Sequence, residues 1–188
     1  MHVLAYLPLF AFLFLGFTLA EAANILKIKG GEVLPGETIT VELSVDNTMP
    51  FVAFQADIPM DAALSYVEGT AALNAARANG HSFSVQVVSG NILKVFAFSM
   101  SNTSFSGSSG AVMTLQLLAT DEPGNIPLDL ENAIIANTTS GNIIDGVESG
   151  LVRILDQNDP EPVPVPLANW SVVFMGLMVV VFFLSYKK

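Results

Sequence analysis

The chain has 188 residues, no cysteine, and 17 acidic against 7 basic side chains, which gives a formal net charge of −10. The lack of cysteine excludes a disulfide framework and thiolate metal sites. Nucleic acid and anionic lipid are poor partners for such a chain because both are polyanions, so we expect no nucleic-acid binding.

The first 22 residues have the pattern of a secretory signal peptide. Residues 3–19 are almost wholly apolar, and Ala20-Glu21-Ala22 has the small-x-small pattern of a cleavage site. Two features depart from the usual signal: no Lys or Arg precedes the apolar run, and the run is long. A retained second anchor is therefore the alternative to a cleaved signal peptide over residues 1–22.

Residues 23–155 are predicted to form one all-β domain. Ile39, Val41, Leu43 and Val45 alternate with polar residues, which is the period-two pattern of a half-buried strand. Similar segments, bounded by Gly, Pro, Ser and Asn turns, lie at 52–58, 83–88, 92–99, 111–119, 127–130, 133–136 and 151–155. Eight or nine short strands with this turn spacing indicate a two-sheet antiparallel β-sandwich.

Two local patterns inside this domain predict particular structures. Ser89-Gly90-Asn91 separates two alternating segments and predicts a hairpin whose turn residues have positive φ. Residues 70–79 are rich in alanine, begin with Thr70 as a helix N-cap and are followed by Gly80 as a helix stop. The second pattern predicts a short helix.

The domain offers little for catalysis or for a cofactor. His81 is the single histidine after the leader and follows Gly80 in a predicted loop, where an exposed bystander is favoured over a catalytic base. Asp57 and Asp61 would suit a glycosidase carboxylate pair, but Asp57 is predicted to point outward from a strand and Asp61 to cap a turn. We therefore predict no catalytic residue, no cofactor and no enzyme activity.

A calcium site in the segment after the domain is also considered. Asp156, Asn158 and Asp159 carry the hard oxygen ligands that Ca²⁺ prefers. The segment lacks the glycine and the terminal glutamate of an EF-hand loop. A solvated acidic linker is favoured, and no metal site is predicted.

A flat sheet face is the favoured binding surface. Outward positions on three predicted strands carry polar side chains and two phenylalanines, and these seven positions are Gln55, Asp57, Ser84, Gln86, Lys94, Phe96 and Phe98. Exposed aromatic rings on a sheet anchor protein partners or sugar rings. The alternative is that Phe96 and Phe98 face the core, because Val95 and Ala97 on the opposite side are also apolar.

The end of the chain is predicted to be an acidic, proline-rich linker over residues 156–169 and, over residues 170–188, a transmembrane helix with a basic end. The stretch at 172–184 has no polar side chain, and Trp170 and Tyr186 extend the segment to 17 residues, the short end of a bilayer span. Lys187 and Lys188 follow the span and are expected on the cytoplasmic side, which places the domain outside the cell membrane.

This tail resembles the PEP-CTERM group of exosortase sorting signals. The resemblance rests on Pro160, Glu161 and Pro162 ahead of an apolar segment with a basic end, and residues 165–170, with Pro166 and Trp170, are similar to the Ile-Pro-Thr-Leu-x-x-Trp variant of that group. It implies export to a Gram-negative bacterial envelope, recognition of the span by a transpeptidase-like enzyme, and its removal. The alternative is a plain membrane anchor through residues 170–186.

The domain itself resembles a cohesin domain over residues 25–155. The similar segments, in the order and spacing of that family, are 33–42, 52–56, 60–64, 105–115, 126–128, 132–133 and 150–154. The resemblance implies a nine-stranded jelly-roll sandwich related to carbohydrate-binding modules, with no catalytic activity. It also implies that one sheet face holds a Ca²⁺-loaded dockerin, with Ala53 and Gln55 where type I cohesins carry Asn and Asp.

Together these patterns predict a surface-displayed, non-catalytic cohesin-like module that binds a protein partner, such as a dockerin-bearing protein, in a system linked to polysaccharide degradation. The rival prediction is a carbohydrate-binding or matrix-structural sandwich, which would attach the bacterial surface to polysaccharide. Trp170, the single tryptophan, lies at the predicted membrane edge, and this disfavours a sugar platform built on tryptophan.

Overall fold

The computed structural model describes residues 23–120 and 122–156, and these residues form strands and turns without a helix. The strands are β1 (Ile25–Lys29), β2 (Gly31–Val33), β3 (Thr38–Asp46), β4 (Ala53–Pro59), β5 (Leu64–Tyr66), β6 (Ala72–Leu73), β7 (Ser82–Val88), β8 (Ile92–Phe98), β9 (Ala111–Ala119), β10 (Gly124–Leu128), β11 (Glu131–Ala136), β12 (Gly146–Glu148) and β13 (Gly150–Ile154).

The strands form three sheets around one apolar core. Sheet 1 has the order β12-β1-β3-β9-β5, with β6 also paired to β9; sheet 2 has the order β11-β4-β8-β7; and sheet 3 has the order β10-β13-β2. Alternate residues of most long strands are buried, as the period-two patterns predicted, and Val41, Leu43 and Val45 on β3 are fully buried. β7 is the exception, because none of its seven residues is buried. The core is therefore built from the inward positions of these strands.

The predicted hairpin is confirmed. β7 and β8 pair in antiparallel register without a shift from Ser82 opposite Phe98 to Val88 opposite Ile92. Gly90 and Asn91 in the connecting turn have φ of 84° and 55°. Two consecutive positive φ values match the twist of the flanking strands, which is why this short turn fixes the register.

Three parts of the sandwich prediction are wrong in detail. The strands form three hydrogen-bonded sheets rather than two. The described residues contain 13 strands rather than nine; nine of the 13 have five or more residues, and the four shorter ones have two or three. These short strands escape a periodicity analysis because it needs at least two full repeats. The sheets are also not wholly antiparallel, since β1 pairs with β12 and β2 pairs with β13 in parallel.

The predicted helix at residues 70–79 is wrong. Ala72 and Leu73 form β6 and pair with β9, and the Thr70 hydroxyl donates to the Val67 carbonyl and accepts from the Gln116 amide. The Asn74 side chain then accepts from the Ala76 amide in a turn. Pairing with β9 and these side-chain bonds replace the internal hydrogen bonds of a helix, so tertiary contacts override the helix propensity of alanine.

That turn places Arg77 inside the domain. Arg77 is 5% exposed, and its guanidinium donates to the carbonyls of Ser106, Val45 and Gly110 and to the side chain of Asn47. A buried guanidinium must have its donors satisfied, and here the loop carbonyls satisfy them. Arg77 therefore ties the segment after β6 to the loop that precedes β9.

Candidate functional site

Sheet 2 brings all seven predicted binding residues onto one face. The register sets Gln55 opposite Phe96, with Ser84 on the far side of Phe96. The next row sets Asp57 opposite Lys94, with Gln86 beyond it. On the opposite side of the Phe96 row from Asp57, Phe98 lies between Ala53 on β4 and Ser82 on β7. Residues opposite one another share a face of the sheet, so three strands contribute to one continuous surface.

Phe96 and Phe98 point away from the core. Val95 and Ala97, which alternate with them, are 1% and 0% exposed, whereas Phe96 is 40% exposed. The two phenyl rings stack at a centroid distance of 5.0 Å and an interplanar angle of 19°. The structure thus contradicts the alternative that these rings face the core, and it places an aromatic pair on this face, with Phe98 as the last residue of β8.

Asp57 forms the polar centre of the same face. Lys94 Nζ donates to both carboxylate oxygens of Asp57, at 2.8 and 2.9 Å, and Asn132 Nδ2 donates to Oδ2 at 2.9 Å. The hydrogen bond from Lys94, followed by that from Asn132, lowers the pKa of Asp57 below its usual value of 3.8. The residue Asp57 is 8% exposed, and its carboxylate is paired with Lys94. Its charge is therefore neutralised within the sheet, and the carboxylate is not available as a catalytic acid.

Asn132 was missed by the sequence analysis. It lies on β11 with φ of 47°, next to a register shift between Glu131 and Ile134. Its backbone carbonyl also accepts a 3.4 Å hydrogen bond from Gln55 Nε2. Asn tolerates the left-handed conformation better than most residues, but Asn132 lies between the predicted segments 127–130 and 133–136, where a single Asn gave no distinct signal of this position.

The candidate catalytic residues do not form a site. Asp61 caps a turn as predicted, since its Oδ1 accepts from the Ala63 amide at 2.8 Å. His81 is not the exposed bystander that its loop position predicted: both ring nitrogens are buried, and its ring lies 3.8 Å from that of Phe105. Burial lowers the pKa of His81 below its usual 6.5, because it disfavours the imidazolium.

His81 instead belongs to a column of packed side chains formed by His81, Phe105, Phe51 and Arg77. Phe105 stacks on Phe51 at 4.6 Å and 7°, and the Arg77 guanidinium carbon lies 5.8 Å from the Phe51 ring centre. Phe51 and Phe105 are 0% and 4% exposed. The column joins the loops at one end of the sandwich, so a structural role accounts for His81 without any chemistry. Within residues 23–120 and 122–156, no three His, Asp or Glu side chains come together as a metal site.

Several predicted positions lie outside the described residues. They are the linker positions Asn158 and Asp159, the sorting-motif positions Pro160, Glu161, Pro162, Pro166 and Trp170, and the leader at residues 1–22. Where the structure is described, no helix has the length and apolarity needed to cross a membrane. The leader, the sorting tail and the membrane span stay predictions from the sequence.

Solved structures with the same fold are cohesins. A non-cellulosomal cohesin from the archaeon Archaeoglobus fulgidus is 19% identical, with a TM-score of 0.60 over 73% of this chain and 94% of that one. The OlpA cohesin from a type I cohesin–dockerin complex of Clostridium thermocellum is 18% identical, with a TM-score of 0.60 over 71% of this chain and 99% of that one. At such identities the likeness shows the fold alone.

A third solved structure belongs to a different cohesin type. The type III cohesin module of the ScaE cell-surface anchoring scaffoldin of Ruminococcus flavefaciens is 14% identical, with a TM-score of 0.57 over 72% of this chain and 89% of that one. The search of curated proteins found no match.

The family comparison agrees with the fold. The model of the cohesin domain matches residues 25–154, which span both the first and the last described strand. Cohesins are non-catalytic protein-interaction modules, in keeping with the prediction that the protein is not an enzyme. Since this match covers well over half of the 188 residues, the chain belongs to the cohesin family.

Proposed function

We propose that the outer face of sheet 2 binds a protein partner, and that the Phe96–Phe98 pair is its anchor. The observation that carries this proposal is the stacked pair itself, with Phe96 left 40% exposed on a regular four-stranded sheet. A large apolar ring gains more from desolvation by a partner than any neighbouring polar side chain, so such rings are frequent energetic centres of interfaces.

The surroundings of the pair support a protein contact of modest polarity. Ser84 and Gln86 on β7 and Gln55 on β4 offer neutral hydrogen-bonding groups. Asp57 and Lys94 neutralise one another, so a partner that covers them need not supply an opposite charge. A polar margin around an apolar centre is the usual arrangement of a protein interface.

The proposed partner is a dockerin-bearing protein. Family membership favours this class, and the OlpA cohesin was solved in a complex with a dockerin. In this chain, Ala53 lies opposite Phe98 and Gln55 opposite Phe96. The small Ala53 leaves the aromatic pair uncovered, so we expect the contact to depend more on apolar burial than on a carboxylate or amide from β4.

The place of action is part of the same proposal. Residues 1–22 as a leader and residues 160–188 as a sorting tail or anchor would display the domain at a bacterial envelope, with the acidic linker of residues 156–169 between the domain and the predicted membrane span. Intact-mass measurement of the surface form tests the tail: loss of residues 172–188 supports sorting by an exosortase, and a full-length mass supports a plain anchor instead.

The binding proposal is tested by capture from the source organism's secreted proteins, with the wild-type chain, Phe96→Ala and Leu151→Ala. Leu151 is 49% exposed on β13, in a different sheet, and is a matched control for loss of an exposed apolar side chain. We expect wild type to capture a dockerin-bearing protein, identified by mass spectrometry, only with calcium present. Phe96→Ala should bind it at least about tenfold more weakly and Leu151→Ala equally well.

Two results would contradict this proposal. Equal capture by Phe96→Ala and wild type would place the interface elsewhere. Absence of any captured dockerin protein, together with retention of the wild-type chain on insoluble polysaccharide, would favour the carbohydrate-binding or matrix-structural alternative. Phe carries no polar group for a sugar hydroxyl, and this is the reason for ranking the protein partner first.

A further inference from the structure

β7 is an edge strand without the features that usually keep such an edge from pairing. Among the described strands it pairs with β8 alone, over seven residues and without a register shift. Its sequence, Ser-Phe-Ser-Val-Gln-Val-Val, has no charge and no proline. Natural proteins commonly protect an edge strand by a charge, a proline, a bulge or short length, because an open edge can add another strand.

The other described edges each carry at least one such feature. β11 has the register shift and Glu131, and β10 contains Pro127. β2, β5 and β12 have three residues each, and β2 and β12 also include Glu32 and Glu148. The contrast makes β7 the exceptional edge of the described domain.

The backbone of β7 is oriented for pairing. On the other side of β8, the Ser99 amide donates to the Val52 carbonyl and the Met60 amide to the Asn91 carbonyl. Antiparallel pairs alternate between hydrogen-bonded and non-hydrogen-bonded, so Val95 directs its amide and carbonyl toward β4. Val85, opposite Val95, therefore directs its own amide and carbonyl toward the open edge, as Phe83 and Val87 also do.

The side chains of these residues are apolar and incompletely covered. Phe83 and Val87 are 42% and 49% exposed, although they lie on the core side of sheet 2. A strand added at this edge would bury both side chains while satisfying the free backbone groups. Burial of apolar side chains and backbone hydrogen bonds would therefore both stabilise a strand added at the β7 edge.

We propose that this edge pairs with β7 of a second copy of the chain, in antiparallel orientation about a two-fold axis at Val85. In that register Phe83 meets Val87 of the second copy, and Ser84 meets Gln86 of the second copy. Apolar side chains then meet on the core side and polar ones on the outer face. The two copies of sheet 2 become one eight-stranded sheet.

The charge distribution favours a second copy at this edge over any other approach of two chains. The chain carries a net charge of −10, so most of its surface repels its own kind. None of its 17 acidic residues lies between positions 69 and 120, the segment that contains β6 to β9. Two β7 strands can therefore approach without bringing carboxylates together.

The test uses the full chain in a mild detergent, at tens of micromolar, with the protein mass measured by light scattering or sedimentation. We expect twice the mass of one chain for wild type and the mass of one chain for Val87→Lys, because the ammonium would be buried against Phe83 of the second copy. Leu151→Lys is the control, since Leu151 is equally exposed at 49% and lies on sheet 3; it should keep the double mass.

A second measurement tests the same proposal without Val87→Lys, and so remains valid if that substitution disturbs the fold. The chain has no cysteine, so a single introduced thiol reports one position. A two-fold axis at Val85 sets the two Val85 Cα atoms about 5.5 Å apart, within the reach of a disulfide. Mild oxidation should convert most of Val85→Cys to a covalent dimer and leave Leu151→Cys as single chains.

A single-chain mass for wild type would overturn the proposal, as would absence of the covalent dimer in Val85→Cys or a double mass retained by Val87→Lys. These outcomes are independent of the proposed partner-binding function. Phe96→Ala should lose partner capture and keep the double mass, whereas Val87→Lys should keep partner capture per chain and lose the double mass.

Discussion

Asp57 is a carboxylate on the outer face of sheet 2, opposite Lys94 on β8, and its partners determine its protonation. Lys94 donates to both of its oxygens and Asn132 to one. These bonds stabilise the charged form in the folded state, so the pKa of Asp57 lies below its usual 3.8. They act mainly by keeping one buried carboxylate satisfied, since the Lys94 side chain is 49% exposed and partly screened by solvent.

Replacement of Asp57 by Asn should make the stability less sensitive to acid. A carboxyl group whose folded-state pKa is lowered stabilises the protein at every pH above its unfolded value near 3.8 and loses that contribution as the pH falls through the folded value. We expect Asp57→Asn to cost about 1 kcal/mol of unfolding free energy at neutral pH. The difference from wild type should shrink steadily below about pH 4 in urea titrations.

The Lys94→Met background provides the control for this prediction. Lys94 is the largest cause of the lowered pKa, so its removal should bring the pKa of Asp57 closer to 3.8. The pH-dependent effect of Asp57→Asn on the unfolding free energy should then be smaller than in the wild-type background. An equal dependence in both backgrounds would mean that the ion pair does not control the titration of Asp57.

At the level of elements, β1 and β13 approach so closely that glycine is required. A Cβ built on Gly30 would lie 2.1 Å from the Leu151 carbonyl oxygen, and one built on Gly150 would lie 2.5 Å from the Ile28 carbonyl oxygen. Both obstacles are backbone atoms, which cannot rotate away. The glycines allow the chain to pass from β1 in sheet 1 to β2 in sheet 3 at this point.

Substitution of Gly30 by Ala should therefore be severe. We expect Gly30→Ala to cost about 3 kcal/mol of unfolding free energy in urea denaturation, because strand pairing must shift to admit the methyl group. Gly124→Ala is the matched control: its Cβ would meet only Ile126 Cδ1 at 3.8 Å, an ordinary contact. It should change the free energy by less than about 0.5 kcal/mol. Similar effects of the two substitutions would argue against the close approach.

The elements that the sequence predicts well are those whose pattern is local. The alternation of β3 and the turn at Gly90 and Asn91 depend on near neighbours, and both were predicted correctly. Residues 70–79 were mispredicted because their structure depends on pairing with the distant β9 and on the buried Arg77. The parallel pairs of β1 with β12 and β2 with β13 join distant segments, and no local pattern marks them.

At the scale of the whole molecule, the candidate face likewise combines features that a local sequence pattern predicts with features that depend on distant segments. Alternation within each strand was enough to select seven residues that the register places on one surface. It did not decide whether Phe96 and Phe98 point outward, because both sides of β8 are apolar and only the packing of Val95 and Ala97 against the core separates them. Asn132 and the column of Phe51, Phe105 and His81 needed the three-dimensional arrangement.

The cohesin domain should fold without the segments that flank it, but not without its last strand. The buried core runs from Leu26 on β1 to Ile154 on β13, so both ends of the domain contribute to it. Residues 23–156 alone should unfold in one cooperative transition, with a free energy within about 1 kcal/mol of the same transition in the full chain. Circular dichroism during urea titration of both chains would measure this.

A chain that ends at residue 148 should fail to fold. It lacks β13, whose Val152 and Ile154 are 0% and 2% exposed and which holds β10 and β2 in sheet 3. Burial of the two side chains alone contributes about 3–6 kcal/mol, a large part of the roughly 5–15 kcal/mol that stabilises a typical domain. Loss of β13 also leaves β2 and β10 without their hydrogen-bonded neighbour in sheet 3. A cooperative transition in residues 23–148 would show that β13 is dispensable and that the core closes on sheets 1 and 2.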